Sequence, residues 1–244
     1  MKQETIDIIL LTCGRLDFTK RTIEGITTRI KIPFRLIVVD NASKDETPEF
    51  LKKCKEEGKI KELILLTEDI KVNIATAYNM GLKYVETDYF LTLQNDIIIP
   101  DLEPCVAVQL MELMEKYPDH GSIGCRIQRI PNIKWTDGDL SPVKKAISAY
   151  CRVQKKSDMI KVGGFGKRQW DDKAMKSQMD KIGKKCSLAN NLWCDHLGGR
   201  YENRGYDKDY KCIWSSKKFD LKRKPYPKIN VKTNIPLPNQ KIYK

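Results

Sequence analysis

The chain has 244 residues and a formal net charge of +13, and 41% of it is hydrophobic, which supplies a sizeable core and argues against wholesale disorder. No apolar run approaches the ~20 residues that a membrane-spanning helix needs. The N-terminus runs straight into a strand pattern without the apolar region and cleavage site of a signal peptide, so a cytoplasmic protein is expected.

Strand and helix patterns alternate over the first 130 residues, which predicts an α/β fold with a mainly parallel sheet flanked by helices. Ile6 to Leu11 is a β-branched apolar run and reads as a first strand. Arg15 to Arg29 carries Phe18, Ile23 and Ile26 at helical spacing. After the break at Pro33, Phe34 to Val39 forms a second strand ending at Asp40, and Thr47-Pro48 opens a helix to about Glu57. A third strand covers Leu63 to Leu66, a helix Ala75 to Val85, and a fourth strand Tyr89 to Leu93, terminating in Gln94-Asn95-Asp96. A helix from about Leu102 to Tyr117 leads through a turn at His120 to a fifth strand near Ser122 to Gln128. Residues 130–150 read as an irregular connection, residues 162–166 as a glycine-rich turn, and Trp170 to Ile182 as a helix stopped by Gly183. From Lys222 onward the chain holds four prolines and seven basic residues with no acid, the composition of an extended tail without its own core.

Charge is divided unevenly along the chain. Residues 1–150 hold 21 Lys+Arg against 23 Asp+Glu, while residues 151–244 hold 24 against 9. The whole excess therefore lies in the last 94 residues, and it points to a polyanionic partner, either nucleic acid or an anionic membrane surface. The eight cysteines form no C-x-x-C pair and read as buried reduced thiols. A zinc site at Cys186, Cys194 and His196 fits no common spacing.

Ligands of parallel α/β sheets bind beyond the carboxyl ends of the strands. Three of those ends are polar here: Thr12, Asp40-Asn41 and Asn95-Asp96. Asp40 suits hydrogen bonds from a base or ribose. Asp96 suits a divalent cation, because hard cations prefer carboxylate oxygen and share it with substrate phosphates.

These segments resemble the family-2 glycosyltransferases of GT-A fold, over Ile6 to about His196. Thr12-Cys13-Gly14-Arg15 is similar to the family's Thr-Tyr-Asn-Arg, and residues 38–47 are similar to its nucleotide-binding segment. Ala77-Tyr78-Asn79-Met80-Gly81 resembles its Ala-Arg-Asn-x-Gly helix, and Gln94-Asn95-Asp96 its Asp-x-Asp metal motif. Lys71-Val72-Asn73 stands where the family commonly has Asn-x-Gly, and Lys71 suits a phosphate instead. The resemblance implies a nucleotide-sugar donor, expected to be a UDP-sugar, contacted by Thr12, Arg15, Asp40, Asn41, Lys71, Asn79 and Asn95. It implies Mn²⁺ or Mg²⁺ held by Asp96 and His196. It makes Asp172 the base and Asp171 its neighbouring acid in an inverting transfer, with Gly164, Phe165 and Trp170 on the acceptor side. On this reading residues 1–130 form the nucleotide-sugar-binding half of one domain, 131–220 the acceptor-side half and 221–244 the basic tail.

Two other readings are open at the level of sequence. A nucleotidyltransferase would carry a longer phosphate loop after its first strand, and a non-catalytic nucleic-acid-binding protein would use the basic half alone. Tyr201, Tyr206, Tyr210 and Trp214 interleave with Arg200, Arg204, Lys208 and Lys211, a mixture suited to stacking on bases. A hydroxylated base in DNA, as in phage DNA modification, and a cell-surface glycan or lipid are the two acceptors this composition suggests.

Overall fold

The computed structural model describes residues 5–70, 72–127, 138–143, 150–166, 171–197 and 241–243. Its centre is β1 (Ile6–Thr12), buried at every position and paired in parallel with β2 (Phe34–Asp40) and β4 (Tyr89–Gln94). β3 (Glu62–Leu65) extends the parallel set beyond β2. A strand covered on both faces reads as an unbroken apolar run, which is why β1 shows no polar alternation.

Successive side chains of β1 still go to different places. Ile8 and Leu10 pack with residues of α1 (Leu16–Arg29), α2 (Thr47–Glu56) and α4 (Val106–Lys116). Ile9 and Leu11 pack on the other face with α3 (Ile74–Leu82) and α6 (Asp171–Lys181). Gly81 lets α3 approach closely, since a Cβ there would stand 2.6 Å from Ile9 Cγ2. Asn73 starts α3 by accepting the Thr76 N–H at 2.9 Å, and Pro48 sits in the first turn of α2 as its sequence predicts.

The sheet continues past β4 with the expected fifth strand and with others the sequence did not reveal. Its order is β10-β3-β2-β1-β4-β8-β6-β9-β5, where β5 is Ile97–Ile98, β6 His120–Ile127, β8 Cys151–Lys155, β9 Lys185–His196 and β10 Lys241–Tyr243. β7 (Leu140–Pro142) pairs with β9 inside the stretch expected to be irregular. β8 runs antiparallel to both β4 and β6, so residues from both sequence halves share one sheet. A short helix, α5 (Lys156–Lys161), follows β8 directly. At the tail, β10 lies antiparallel on β3, where the composition suggested only extended chain.

Far from the ligand edge, buried Asp7 takes Arg35 at 2.7 and 2.6 Å and the Glu86 and Thr87 amides at 2.6 and 3.0 Å. Burial alone would raise its pKa, but these bonds outweigh it and hold the carboxyl below its usual range. This acid is a structural ion pair, distinct from those at the carboxyl ends. Among the described residues no helix is long and apolar enough to cross a membrane.

Candidate active site

The carboxyl ends of β1, β2 and β4 converge, and their polar residues mostly hold one another. Thr12 Oγ1 donates to Asp40 Oδ1 at 2.6 Å. The Ser43 N–H donates to Asp40 Oδ2 at 3.0 Å, and the Ser43 hydroxyl donates to Oδ1. Asp40 is 1% exposed, and burial is the main cause of its raised pKa, opposed by these donors. Ser43 also accepts the Gly14 N–H, so the loops after β1 and β2 are tied through one hydroxyl. The sequence marked Asp40 and passed over Ser43, though it lies in the same Asp-Asn-Ala-Ser run.

Three asparagines do the work of peptide groups. Asn41 donates to the Val72 carbonyl at 2.8 Å and accepts the Val72 N–H at 3.0 Å. Asn79 does the same with Phe165, at 2.8 Å each way. Asn95 donates to the Gly14 carbonyl and to Thr19 Oγ1 at 2.7 and 2.9 Å. A carboxamide carries the same donor and acceptor as the backbone, so it can lock a loop in place of a strand partner. All three were expected to contact donor. In the structure these polar atoms engage loop groups.

The exception is Asp96. It follows β4 in the turn before β5, whose Ile97 pairs with His196 at the end of β9. The Asp96 carbonyl accepts the Leu197 N–H at 2.8 Å, which fixes the end of β9 against this turn. Asp96 Oδ2 accepts Arg15 Nη1 at 2.6 Å and lies 3.2 Å from His196 Nε2. Burial would raise the Asp96 pKa, but the imidazole bond and the Arg15 charge more than offset it and leave the pKa lowered. Oδ1 is buried and has no hydrogen-bond partner. One carboxylate oxygen without a protein donor, beside an imidazole nitrogen, is a donor set that suits a divalent cation of the Mn²⁺ or Mg²⁺ kind. The sequence separates these two groups by a hundred residues, and the fold brings them together.

Arg15 reaches Asp96 from an unusual backbone. It and Gly14 both take positive φ, 63° and 67°, and the first amide of α1, Leu16 N–H, is capped at 3.1 Å by Asp45 from the β2 loop. Sequence reasoning put Arg15 inside the helix; the structure makes it the turn that precedes it. His196 is backed by Tyr150, ring centroids 4.5 Å apart, a neighbour no motif announced. His120, expected in a turn, instead begins β6 and is buried between Asp119 and Ser187, at 2.7 and 2.9 Å.

The glycine-rich turn is pinned from both sides. Phe165 is buried under Tyr78, ring centroids 5.1 Å apart, and so contributes an anchor to core rather than an open ring to an acceptor. Gln178 of α6 donates to the Val162 and Gly164 carbonyls at 3.1 and 2.9 Å. Gly164 has φ of 86°, and a Cβ there would meet Asn79 Oδ1 at 2.3 Å. Gly164→Ala is therefore expected to destabilise the fold by about 1–3 kcal/mol. Gly163→Ala, with φ of 77° but open space, should cost less. Equal midpoints for the two variants in a urea titration would mean that Asn79 does not hold this turn.

Gly166 packs against the first turns of α6, where a Cβ added to it would lie only 2.8 Å from Ala174 Cβ, so the start of that helix is fixed to the turn. The helix begins at Asp171, one residue after Trp170. Lys71, Trp170 and the side chains of Asp171 and Asp172 lie outside the described residues, as do the aromatic and basic residues between Arg200 and Trp214.

A parallel α/β sheet whose carboxyl edge carries this carboxylate–imidazole pair has the architecture of a GT-A domain. The chain belongs to glycosyl transferase family 2, whose sequence profile matches residues 7–174. No curated protein matches its sequence. Among solved structures, a mannosyltransferase from Pyrobaculum calidifontis in complex with GDP-Man and Mn²⁺ superposes with a TM-score of 0.65 at 17% identity, over 84% of this chain and 59% of that one. TarS 1–349 of S. aureus in complex with UDP-GlcNAc gives 0.57 at 12% identity, over 83% and 62%. GalNAc-T7 with UDP, GalNAc and Mn²⁺ gives 0.63 at 10% identity, over 78% and 43%. The chain thus spans about three-fifths or less of the length of these relatives, and at such identities they establish the fold.

Proposed function

We propose that this chain transfers a sugar from a nucleotide-sugar donor, a UDP-sugar in the first instance, to an acceptor hydroxyl with inversion at the anomeric carbon. The observation that carries the reading is the Asp96–His196 pair at the sheet's ligand edge, with Asp96 Oδ1 buried and without a hydrogen-bond partner. Asp96 and His196 would hold Mn²⁺ or Mg²⁺, whose charge, when bound, stabilises the departing diphosphate. Arg15, already at Asp96, is the chain's own positive group for the same phosphates. Thr12, Asp40 and Asn41 shape the nucleoside side of the edge, and Lys71 is the basic residue that suits a phosphate. Asp172 takes the proton of the acceptor hydroxyl as its oxygen bonds to the anomeric carbon and the bond to the diphosphate oxygen breaks. Asp171 stands beside it. The nucleotide sugars and Mn²⁺ bound to solved proteins of the same fold support the choice of donor class and ion.

For the acceptor, the concentration of positive charge in residues 151–244 favours a nucleic acid, a hydroxylated base in DNA above all. A base inside a duplex would have to be flipped out to be reached. The test is a thermal-shift screen of nucleotide sugars with and without Mn²⁺, followed by transfer to hydroxymethylated DNA. A shift with one donor that grows with Mn²⁺, and transfer that falls steeply with salt, are the expected results. Tight DNA binding without turnover of any donor would favour a non-catalytic nucleic-acid-binding protein. Turnover with transfer only to glycan or lipid would move the acceptor to the membrane surface.

A further inference from the structure

Cys125 on β6, Cys151 on β8 and Cys194 on β9 are buried, and their sulfurs all lie within 4.8 Å of one another. Two of the three meet by ordinary pairing: the antiparallel ladder matches Gly124 with Arg152, so Cys125 and Cys151 face each other one step further on. The third arrives by an irregularity. β9 runs from Leu188 to Trp193 while β6 advances only from Gly124 to Arg126, and Cys194 ends opposite Ile127. An unbroken register would have put Asn191 there. Bulges of this kind re-aim side chains, and this one delivers a sulfur to two others.

A buried lone cysteine behaves as a small hydrophobe, which suffices for Cys54 and Cys105. It does not account for three sulfurs gathered from three strands. Three thiolates around one ion at a metal–sulfur distance of about 2.3 Å stand about 4 Å apart, close to the spacing here. The donors are all sulfur, which selects soft ions, and among the described residues no histidine or carboxylate joins them. Charge narrows the choice. Binding releases three thiol protons, so a divalent ion leaves one net negative charge and a monovalent ion leaves two. Leu93 faces Cys151 and Ile127 faces Cys194 across their ladders, an apolar setting in which the smaller net charge costs less.

We propose that Cys125, Cys151 and Cys194 form a three-thiolate site for a soft divalent ion of the zinc class, separate from the oxygen-and-nitrogen pair Asp96–His196. Cys194 lies two residues before His196 on the same strand, and Cys151 follows Tyr150, whose ring backs the His196 imidazole. An ion held there ties β6, β8 and β9 together immediately behind the candidate active site. By spacing in the sequence, Cys186, Cys194 and His196 fit no common zinc pattern. The structure instead gives Cys194 the partners Cys125 and Cys151, while Cys186 packs in the core on the opposite face of the sheet.

The test is titration of the full, reduced, chelator-treated protein with Cd²⁺, followed by its thiolate-to-metal charge-transfer band. One ion per chain with an intensity of three thiolates is expected, and competition by Zn²⁺ should remove the band. Cys151→Ala and Cys125→Ala should weaken uptake at least tenfold, whereas Cys54→Ala should leave it unchanged. Wild-type protein decides the matter even if a variant fails to fold, because the intensity per ion counts the sulfurs. No saturable band, a band worth a single thiolate, or one that survives in folded Cys151→Ala would overturn the site and leave the three thiols as packing.

Discussion

Asp96→Ala should reduce sugar transfer by at least 10²-fold and abolish the Mn²⁺-dependent part of the donor thermal shift. The variant removes the only carboxylate of the Asp96–His196 pair, and with it the oxygen that would neutralise a cation's charge. It also leaves the Arg15 guanidinium, whose side chain is 8% exposed, without its 2.6 Å partner. Breaking a nearly buried ion pair on one side costs about 3–5 kcal/mol, so loss of stability has to be separated from loss of chemistry. Asp96→Asn serves that purpose: it keeps the shape and an oxygen for Arg15 while removing the charge. Its melting temperature should stay closer to wild type than that of Asp96→Ala, and its transfer rate should still fall by 10²-fold or more. A folded Asp96→Asn protein with rates within threefold of wild type at every Mn²⁺ concentration would remove Asp96 from the metal site and leave Arg15 as its sole purpose.

The parallel half of the fold was readable because its strands are covered on both sides and its helices on one. β1, β2 and β4 appear as apolar runs, α1 as spaced apolar residues and α2 as a Thr-Pro helix start. Their observed limits fall within a residue or two of the expected ones, whereas α4 starts only after Pro104. β8 and β9 gave no such signal. β8 alternates, but the buried residues on one of its faces are Arg152 and Gln154, which sequence patterning assigns to solvent. β9 loses its alternation where the register jumps beside β6, so its twelve residues do not repeat with any single period. The site divides in the same manner. Polar residues at strand ends could be assigned to one edge of the sheet, where the structure gathers them, because backbone geometry alone decides where that edge lies. What each residue does there was not legible. An asparagine that grips a loop and one that grips a ligand look identical in sequence, and only the positions of Val72, Phe165 and Gly14 reveal that Asn41, Asn79 and Asn95 grip loops.

Asp172→Asn should lower transfer by about 10²–10⁴-fold, the usual contribution of a positioned general base, while donor affinity and its response to Mn²⁺ stay unchanged. The expectation draws on the placement of α6. The helix starts at Asp171, so both acids occupy its first turn, where the helix dipole favours the ionised carboxylate a base must be. The helix is tied to the glycine-rich turn, because Gly166 abuts Ala174 and Gln178 holds that turn, which Asn79 holds in turn from α3. The amide variant keeps the size of the side chain, so a stability change large enough to mimic inactivity is not expected. Asp171→Asn is the comparison that assigns the role: a lesser loss there places the base at Asp172, and an equal loss means that the two acids act as a pair. Full transfer by Asp172→Asn together with inactivity of Asp171→Asn would move the base by one residue, to the opening position of the helix. Full transfer by both would mean that the acceptor hydroxyl loses its proton to a group outside α6.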